Sequence, residues 1–366
     1  MDKGSYKLTA LEKTYGGFLG PAIEVKLDGM KLDSNSIPIS SLDVEMTADG
    51  GAGSCTIIID SLYDYKTGTW ASSVYKRLKV GAELEVKGGY VVKKPLFYGY
   101  VDEFSMDYRG SGGPQLVIRA VDGFGFLMCC RDDYYAGQKS TTAAIKEILG
   151  KSVSAGFAKS VTVGSGVKDF LTPLLKDEGM DDFTFLRVLA ERYGMVLMCL
   201  NGELIFDSLW DKSAALIELE MGRGLLSFQK RHSLYDQVGK VIIWGLDKNN
   251  KPIVGTADTV TTGGKGKSAA QHVSHLKQSI LKEGTEFALT TEECTNLAQA
   301  RLNGIAMGFM HGRGQCIGIP ELIPGRFIKI KSMVEKTTDE LFVSRVLHRF
   351  SQGGYFCEFE VKGAKA

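Results

Sequence analysis

Between Ala22 and Gly123 the chain alternates apolar and polar positions with the two-residue period of a strand. In AELEVK, Ala82, Leu84 and Val86 fall on one side and Glu83, Glu85 and Lys87 on the other. TIIID at Thr56 supplies β-branched residues, and LFYGYV at Leu96 and QLVIRAV at Gln115 add apolar runs between glycine-rich turns. Residues 20–125 therefore predict an all-β unit, closed into a barrel because closure removes exposed strand edges. Residues 1–19 carry no such period and read as an irregular N-terminal arm.

The period becomes helical in the middle of the chain. Ser140 stands as an N-cap before a stripe of Ile145, Ile148 and Leu149 that stops at Gly150. DDFTFLRVLAERYG from Asp181 puts Leu186, Leu189, Ala190 and Tyr193 on one stripe. Its two aspartates sit at the positive end of the dipole, and Gly194 is placed to end the helix. MVLMCL and ELIFDS then flank Asn201-Gly202, the dipeptide of a type I′ hairpin. Residues 126–225 predict a small α+β domain. Strand character returns with KVIIWGL at Lys240, and a polar, glycine-rich loop follows. Thr290 and Glu293 have capping-box spacing ahead of Cys294, Ala298, Leu302, Ile305 and Phe309. After His311, strands and turns run to the end.

The two β-rich ends echo one another. GSCTII at Gly53 matches GQCIGI at Gly314, GAELEVK at Gly81 matches GRFIKIK at Gly325, and LFYGYV at Leu96 matches LFVSRV at Leu341. VDG ending at Gly123 matches VKG ending at Gly363. One echo says little, since every barrel strand alternates, but a shared order predicts a duplicated barrel. The second barrel would be 226–258 joined to 311–366, interrupted by a loop-helix insertion at 259–310. Leu84 and Ile328, and likewise Val86 and Ile330, would point inward at equivalent positions, with Glu85 and Lys329 turned away.

Charge and cysteine usage narrow the function. The 44 Lys and Arg against 43 Asp and Glu leave a net charge of +1, with no one-signed field to hold nucleic acid or anionic lipid. MDKGSYKLTALEK has no apolar signal core, and the run Met195 to Leu200 is far short of the ~20 residues that span a bilayer. Neither stable nucleic-acid binding nor membrane insertion is expected. The 7 cysteines form no CxxC pair and read as reduced core thiols of a protein made in a reducing cytosol.

The strings FTFLRVLAERYGM from Phe183, NGELIF at Asn201, TTEECTNLAQARLNGIAMGFMHGRGQCIGIPELIPGRFIKI from Thr290 and VLHRFSQGGYFCEFEV from Val346 resemble the late-control-D family. These are baseplate hub proteins of contractile phage tails, tail-like bacteriocins and related injection systems, and the resemblance covers residues 80–366. It implies two tail-tube-like β-barrels, an intervening small α+β domain and an insertion in the second barrel. It further implies a homotrimer whose six barrels meet a hexameric tail tube on one face and a trimeric spike on the other. Because the sequence stops at Ala366, the spike is expected to be a separate protein. Baseplate wedge and tape measure proteins are further expected partners, with assembly in the bacterial cytoplasm and residence in the tail.

TTGGKGKS, Thr261 to Ser268, approaches a phosphate-binding loop, yet Thr261 stands where that loop needs its first glycine. It reads as a mobile loop, open to proteolysis at Lys265 or Lys267. His272 and His275 share helical spacing without a third ligand nearby, and His311 and His348 read as structural residues beside strands. Asp181, Asp182 and Glu191 belong to a helix start and its polar face rather than to a glycosidase pair, and GSG at Gly164 lacks the outer glycine of a nucleophile elbow. No catalytic residue, cofactor or metal site is expected. The alternatives to a structural hub are a tail-associated peptidoglycan hydrolase, a non-contractile tail hub, or a receptor-binding β-module, which would carry exposed aromatic clusters on loops.

Overall fold

The computed structural model describes residues 4–365 apart from 33–36, 38, 61–62, 71–73, 75, 109–112, 170, 209–213, 264–265 and 332–337. The fold is mainly β. The N-terminal half supplies β1 (Ala22–Leu27), β2 (Met30–Leu32), β3 (Ile39–Thr47), β4 (Ser54–Asp60), the short hairpin β5 (Tyr63–Asp64) and β6 (Thr69–Trp70), β7 (Glu83–Gly89), β8 (Lys93–Asp107) and β9 (Gln115–Val121). The middle holds β10 (Ser160–Val163), β11 (Val196–Leu200) and β12 (Glu203–Asp207). Then come β13 (Glu218–Met221), β14 (Gly224–His232), β15 (Lys240–Leu246), β16 (Pro252–Ala257) and β17 (Ile280–Gly284). The last strands are β18 (Met310–Ile317), β19 (Phe327–Lys331), β20 (Thr338–Ser351) and β21 (Gly354–Gly363). The helices are α1 (Leu8–Thr14), α2 (Gly123–Cys129), α3 (Thr141–Ser154), α4 (Asp182–Tyr193) and α5 (Thr291–Ala306), with one helical turn at Ala269–His272.

One sheet runs β19-β13-β14-β18-β21-β20-β3-β4-β9-β8-β7-β1-β2, and an added β19–β20 pairing closes its first six strands into a barrel. Two neighbours share one edge of β20. Residues 338–342 pair with β19, and after a bulge at Val343/Arg345 residues 345–351 pair with β3. The bulge lets one long strand leave the closed barrel and enter the N-terminal sheet. Burial follows the two-residue period, most regularly in β4 and β21, so a single apolar core runs through both halves.

The strand order repeats. β1-β7-β8-β9-β4-β3 in the N-terminal half matches β13-β19-β20-β21-β18-β14 in the barrel, neighbour for neighbour. Closure differs: β13 pairs with β14, whereas the free edge of β3 pairs with β20 and, among the described pairings, not with β1. Direction differs too, since β1–β7 is antiparallel and β13–β19 parallel. Leu84 and Ile328 lie on matching strands and are both fully buried, but Leu84 faces Gly99 while Ile328 faces Leu341, so the two hairpins are offset in register.

Local signals behave as their chemistry requires. Ser140 Oγ accepts from Ala143 N at 3.2 Å, Asp181 Oδ1 accepts from Thr184 N at 2.8 Å, and Thr290 and Glu293 form a capping box. Gly194 ends α4 in the left-handed region, and Asn201 (φ 48°) and Gly202 (φ 85°) make the turn between β11 and β12. The sheet β10-β12-β11 packs with α2, α3 and α4 around Phe124, Leu149, Leu186 and Phe206.

Three expectations need correction. The segment expected as an irregular arm, 1–19, is ordered over its described residues 4–19: α1 buries Leu11, Tyr15 behind it is fully buried, and Tyr6 N donates to Leu216 O at 2.7 Å. An amphipathic segment this short shows too few periods to read. The stretch 226–258 does not lie wholly in the barrel, because β15 and β16 pair with each other and with β17 in a separate sheet covered by α5. Alternation identifies a strand but not its neighbours. The barrel itself begins with β13, before residue 226.

Candidate functional site

The seam between the two halves carries a network of ion pairs. Alternation along β3, β20, β21 and β18 brings Asp43, Glu45, Arg345, Arg349, Glu358, Glu360 and Arg313 into two rows. In one, Arg349 donates to Glu358 at 2.8 Å and to Asp43 at 3.3 Å. In the other, Arg345 forks onto Glu45 at 2.7 Å through two bonds and reaches Glu360 at 3.3 Å, which Arg313 also approaches at 3.4 Å. The Glu45 hydrogen bonds push the Arg345 pKa up, against a smaller opposing effect of burial. A depression of about 460 Å³ lies beside these rows, between Phe228, Arg313, Arg345 and Glu360. Matched charges on adjacent strands make this face polar and fully paired, suited to contact with another polar surface or with water rather than to catalysis.

Behind the seam a buried polar cluster locks the barrel. His348 Nε2 lies 3.0 Å from Leu322 O, and a carbonyl can only accept, so Nε2 carries the proton. Nδ1 is then an acceptor, and Tyr355 Oη donates to it at 2.7 Å, with Cys357 Sγ 3.2 Å away. Cys316 faces Cys357 across β18 and β21, and burial holds its thiol well above the ordinary range. Nearby, fully buried Arg326 donates from Nη2 to Gly4 O at 2.9 Å and Ala214 O at 3.0 Å, tying the N-terminal segment to the barrel.

A cleft of about 870 Å³ opens where the barrel, the α+β unit and α5 meet, lined among others by Asp49, Arg187, Glu191, Asn303, His311 and Lys362. Lys362 pairs with Asp49 at 2.8 Å, and burial together with Lys362 and Arg231 lowers the His311 pKa. Among the described residues that line it, no hydroxyl or thiol is hydrogen-bonded to His311.

The sequence candidates do not assemble into one site. Thr261 N donates to Asn303 Oδ1 at 3.0 Å, fixing the start of the glycine-rich loop to α5; Gly264 and Lys265 lie outside the described residues. His272 packs against Phe309 with ring centroids 5.7 Å apart, while His275 is exposed on the next turn. Asp181 caps α4, Asp182 is buried between Lys151 (2.7 Å) and Lys176 (2.5 Å), and Glu191 is exposed in the cleft. Gly164 sits against Asp207, with no room for a side chain. Among the described residues no group of three His, Cys, Asp or Glu side chains is placed to hold a metal ion, and no helix is long and apolar enough to cross a membrane. Sequence reasoning missed the paired rows and the His348 cluster. The seam's only trace was Arg and Glu on the polar phase of alternating strands.

The sequence model of the Alg8 N-terminal domain family matches residues 21–352. The chain belongs to that family. The matched span takes in the N-terminal sheet, the α+β unit and every barrel strand except β21. No curated protein matches this Alg8 N-terminal domain chain. Solved structures share its fold. The 43 kDa tail protein of prophage MuSo2 from Shewanella oneidensis superposes with a TM-score of 0.70 at 17% identity, covering 94% of this chain and 99% of the other. A tail protein from Neisseria meningitidis gives 0.68 at 13% identity, covering 94% and 96%. An E. coli component of the type VI secretion system, itself similar in structure to the T4 bacteriophage tail proteins gp27 and gp5, gives 0.56 at 12% identity, covering 93% and 76%. At such identities the shared property is the fold, a tail-protein fold.

Proposed function

We propose that this Alg8 N-terminal domain chain is a non-enzymatic structural component of a tail, a hub of the late-control-D kind. Three copies would join a hexameric tail tube to a separate trimeric spike, with wedge and tape measure proteins alongside. The repeated strand order carries this reading. If β1-β7-β8-β9-β4-β3 and β13-β19-β20-β21-β18-β14 act as two tube-like units, three chains offer six similar units to a sixfold tube and a threefold face to a spike. The fold shared with the Shewanella and Neisseria tail proteins along nearly their whole length supports the same assignment. On this reading the units are 20–125 and the barrel strands from β13 onward, with 126–217 between them and β15 to α5 as the insertion.

Purified tails from the producing strain test the proposal. The chain should co-purify with tube and spike proteins, and its deletion should stop tail assembly. Intact tails from the deletion strain would contradict it.

One observation favours a second reading, a receptor-binding module. Tyr63 packs edge-on against Tyr65, Trp70 and Tyr108 at centroid distances of 5.3, 5.5 and 5.7 Å, and Tyr65 and Tyr108 are largely exposed. Binding of the purified chain to target-cell envelopes, lost on Tyr65→Ala with Tyr108→Ala, would support it; tails that need the chain for assembly but not for attachment would reject it.

A further inference from the structure

The sheet of β15, β16 and β17 has two unlike faces. Val241 and Ile243 are buried against Cys294, Ala298 and Leu302 of α5. The opposite face is open, although it is also apolar. Trp244 is 53% exposed and lies across from Val254, itself 46% exposed; Leu246 lies across from Pro252. Lys240 and Lys282 flank this strip on the same phase of their strands, with Lys248 and Lys251 in the turn at its end, and none of the four has an ion-pair partner among the described residues. The turn carboxylate, Asp247, is occupied by the backbone N–H groups of Asn249 and Lys251. An exposed tryptophan ringed by aliphatic side chains and unpaired lysines fits a partner with an apolar centre and an acidic border.

The α+β unit carries such a surface. Tyr135 and Leu175 form an antiparallel bridge, and both are about two-thirds exposed, at 65% and 66%. Asp133 and Asp177 stand two residues out from the bridge on the two chains, the spacing that returns to the same face. Both are exposed, as is Glu178; Lys176 beside the bridge is turned inward onto Asp182, and Lys139 is held by Glu147. The two patches lie on different units of one chain. A contact between them is therefore head-to-tail, the type that closes rings.

We propose that the lysine-bordered Trp244 face of one copy docks on the aspartate-bordered Tyr135–Leu175 patch of a second copy of this chain. This deepens the trimer reading and rests on it. The contact satisfies two exposed apolar surfaces at once and sets the lysines of one beside the exposed carboxylates of the other.

Sedimentation equilibrium of the full chain tests it. Trp244→Asp should weaken self-association at least about tenfold, the scale of a hot-spot tryptophan, with an unchanged melting curve because the side chain is half-exposed. Lys240→Glu with Lys282→Glu should weaken it as well, and so should Asp133→Lys with Asp177→Lys. Mixing those two charge-reversed proteins should restore association between unlike copies, which can make two of the three contacts of a ring, and a folding defect would not do so. A wild-type chain that stays monomeric throughout, an association constant untouched by Trp244→Asp, or charge-reversed proteins that fail to associate when mixed would each overturn the docking. A trimer indifferent to these variants would leave the hub reading standing, whereas tails assembled without the chain would remove the hub reading itself.

Discussion

Arg345 on β20 and Glu45 on β3 stand 300 positions apart in sequence and meet through two bonds of 2.7 Å, Nε to Oε1 and Nη2 to Oε2. This fork pins the N-terminal sheet to the barrel at the point where β20 passes from one to the other. Both side chains keep about a third of their surface in water, 39% and 32%, so screening limits the worth of the pair. Arg345→Ala should lower unfolding free energy by about 1 kcal/mol, and the loss should shrink in about 1 M salt. Urea denaturation at two salt concentrations is the measurement. A loss that does not depend on salt would assign the effect to packing.

Ile328 is fully buried on β19, and Ile328→Ala should cost about 2–5 kcal/mol in the same assay. Its neighbour Lys329 is half-buried and faces Glu218 on β13 and Glu340 on β20. Lys329→Glu sets three carboxylates side by side, so a smaller loss, about 1 kcal/mol, is expected. If that face lies in a subunit contact, association should fall further than stability. Equal falls in both would place Lys329 outside any interface.

Alternation made most strands legible, and cap and turn chemistry located α3, α4, α5 and the β11–β12 hairpin. What stayed hidden were choices between partners. KVIIWGL reads as a strand on any sheet, and nothing local tells that Ile242 and Trp244 would face away from the core their neighbours Val241 and Ile243 build with α5. The repeat appeared in four short echoes, yet the register offset between the Leu84 and Ile328 hairpins was invisible, because alternation within a strand does not name the residue it faces across the ladder. The seam charges were missed for a related reason. Glu45, Arg345 and Glu360 each look like an ordinary solvent-facing residue until pairing sets them in one row.

His348 joins two strands and a loop from inside the barrel. His348→Ala would leave Tyr355 Oη and Leu322 O without their bonds and open a cavity, so it should cost about 2–4 kcal/mol. Calorimetry of the full chain is the check, and a variant as stable as the parent would show that water or rearrangement replaces the ring.

Asp122 gives the fold a pH signature. Burial pushes its carboxyl up to about 7 from an ordinary 3.8, despite hydrogen bonds from Phe124 N at 2.9 Å and Gly53 N at 2.6 Å. With the folded value above the unfolded one, its contribution is complete below pH 3.8 and is lost as pH rises toward 7. Asp122→Asn keeps an acceptor for Phe124 N but turns an amide toward Gly53 N, lowering stability by about 1–2 kcal/mol. The difference in stability between parent and variant should therefore change across that interval. A difference that stays constant with pH would refute the shift.

The most direct test of the account is the mass of the assembled chain, measured by light scattering on the purified protein alone and with its tail tube and spike proteins. The account predicts a species three times the 39.9 kDa chain. A stable dimer, or a monomer that never trimerises in the presence of both partners, would contradict it.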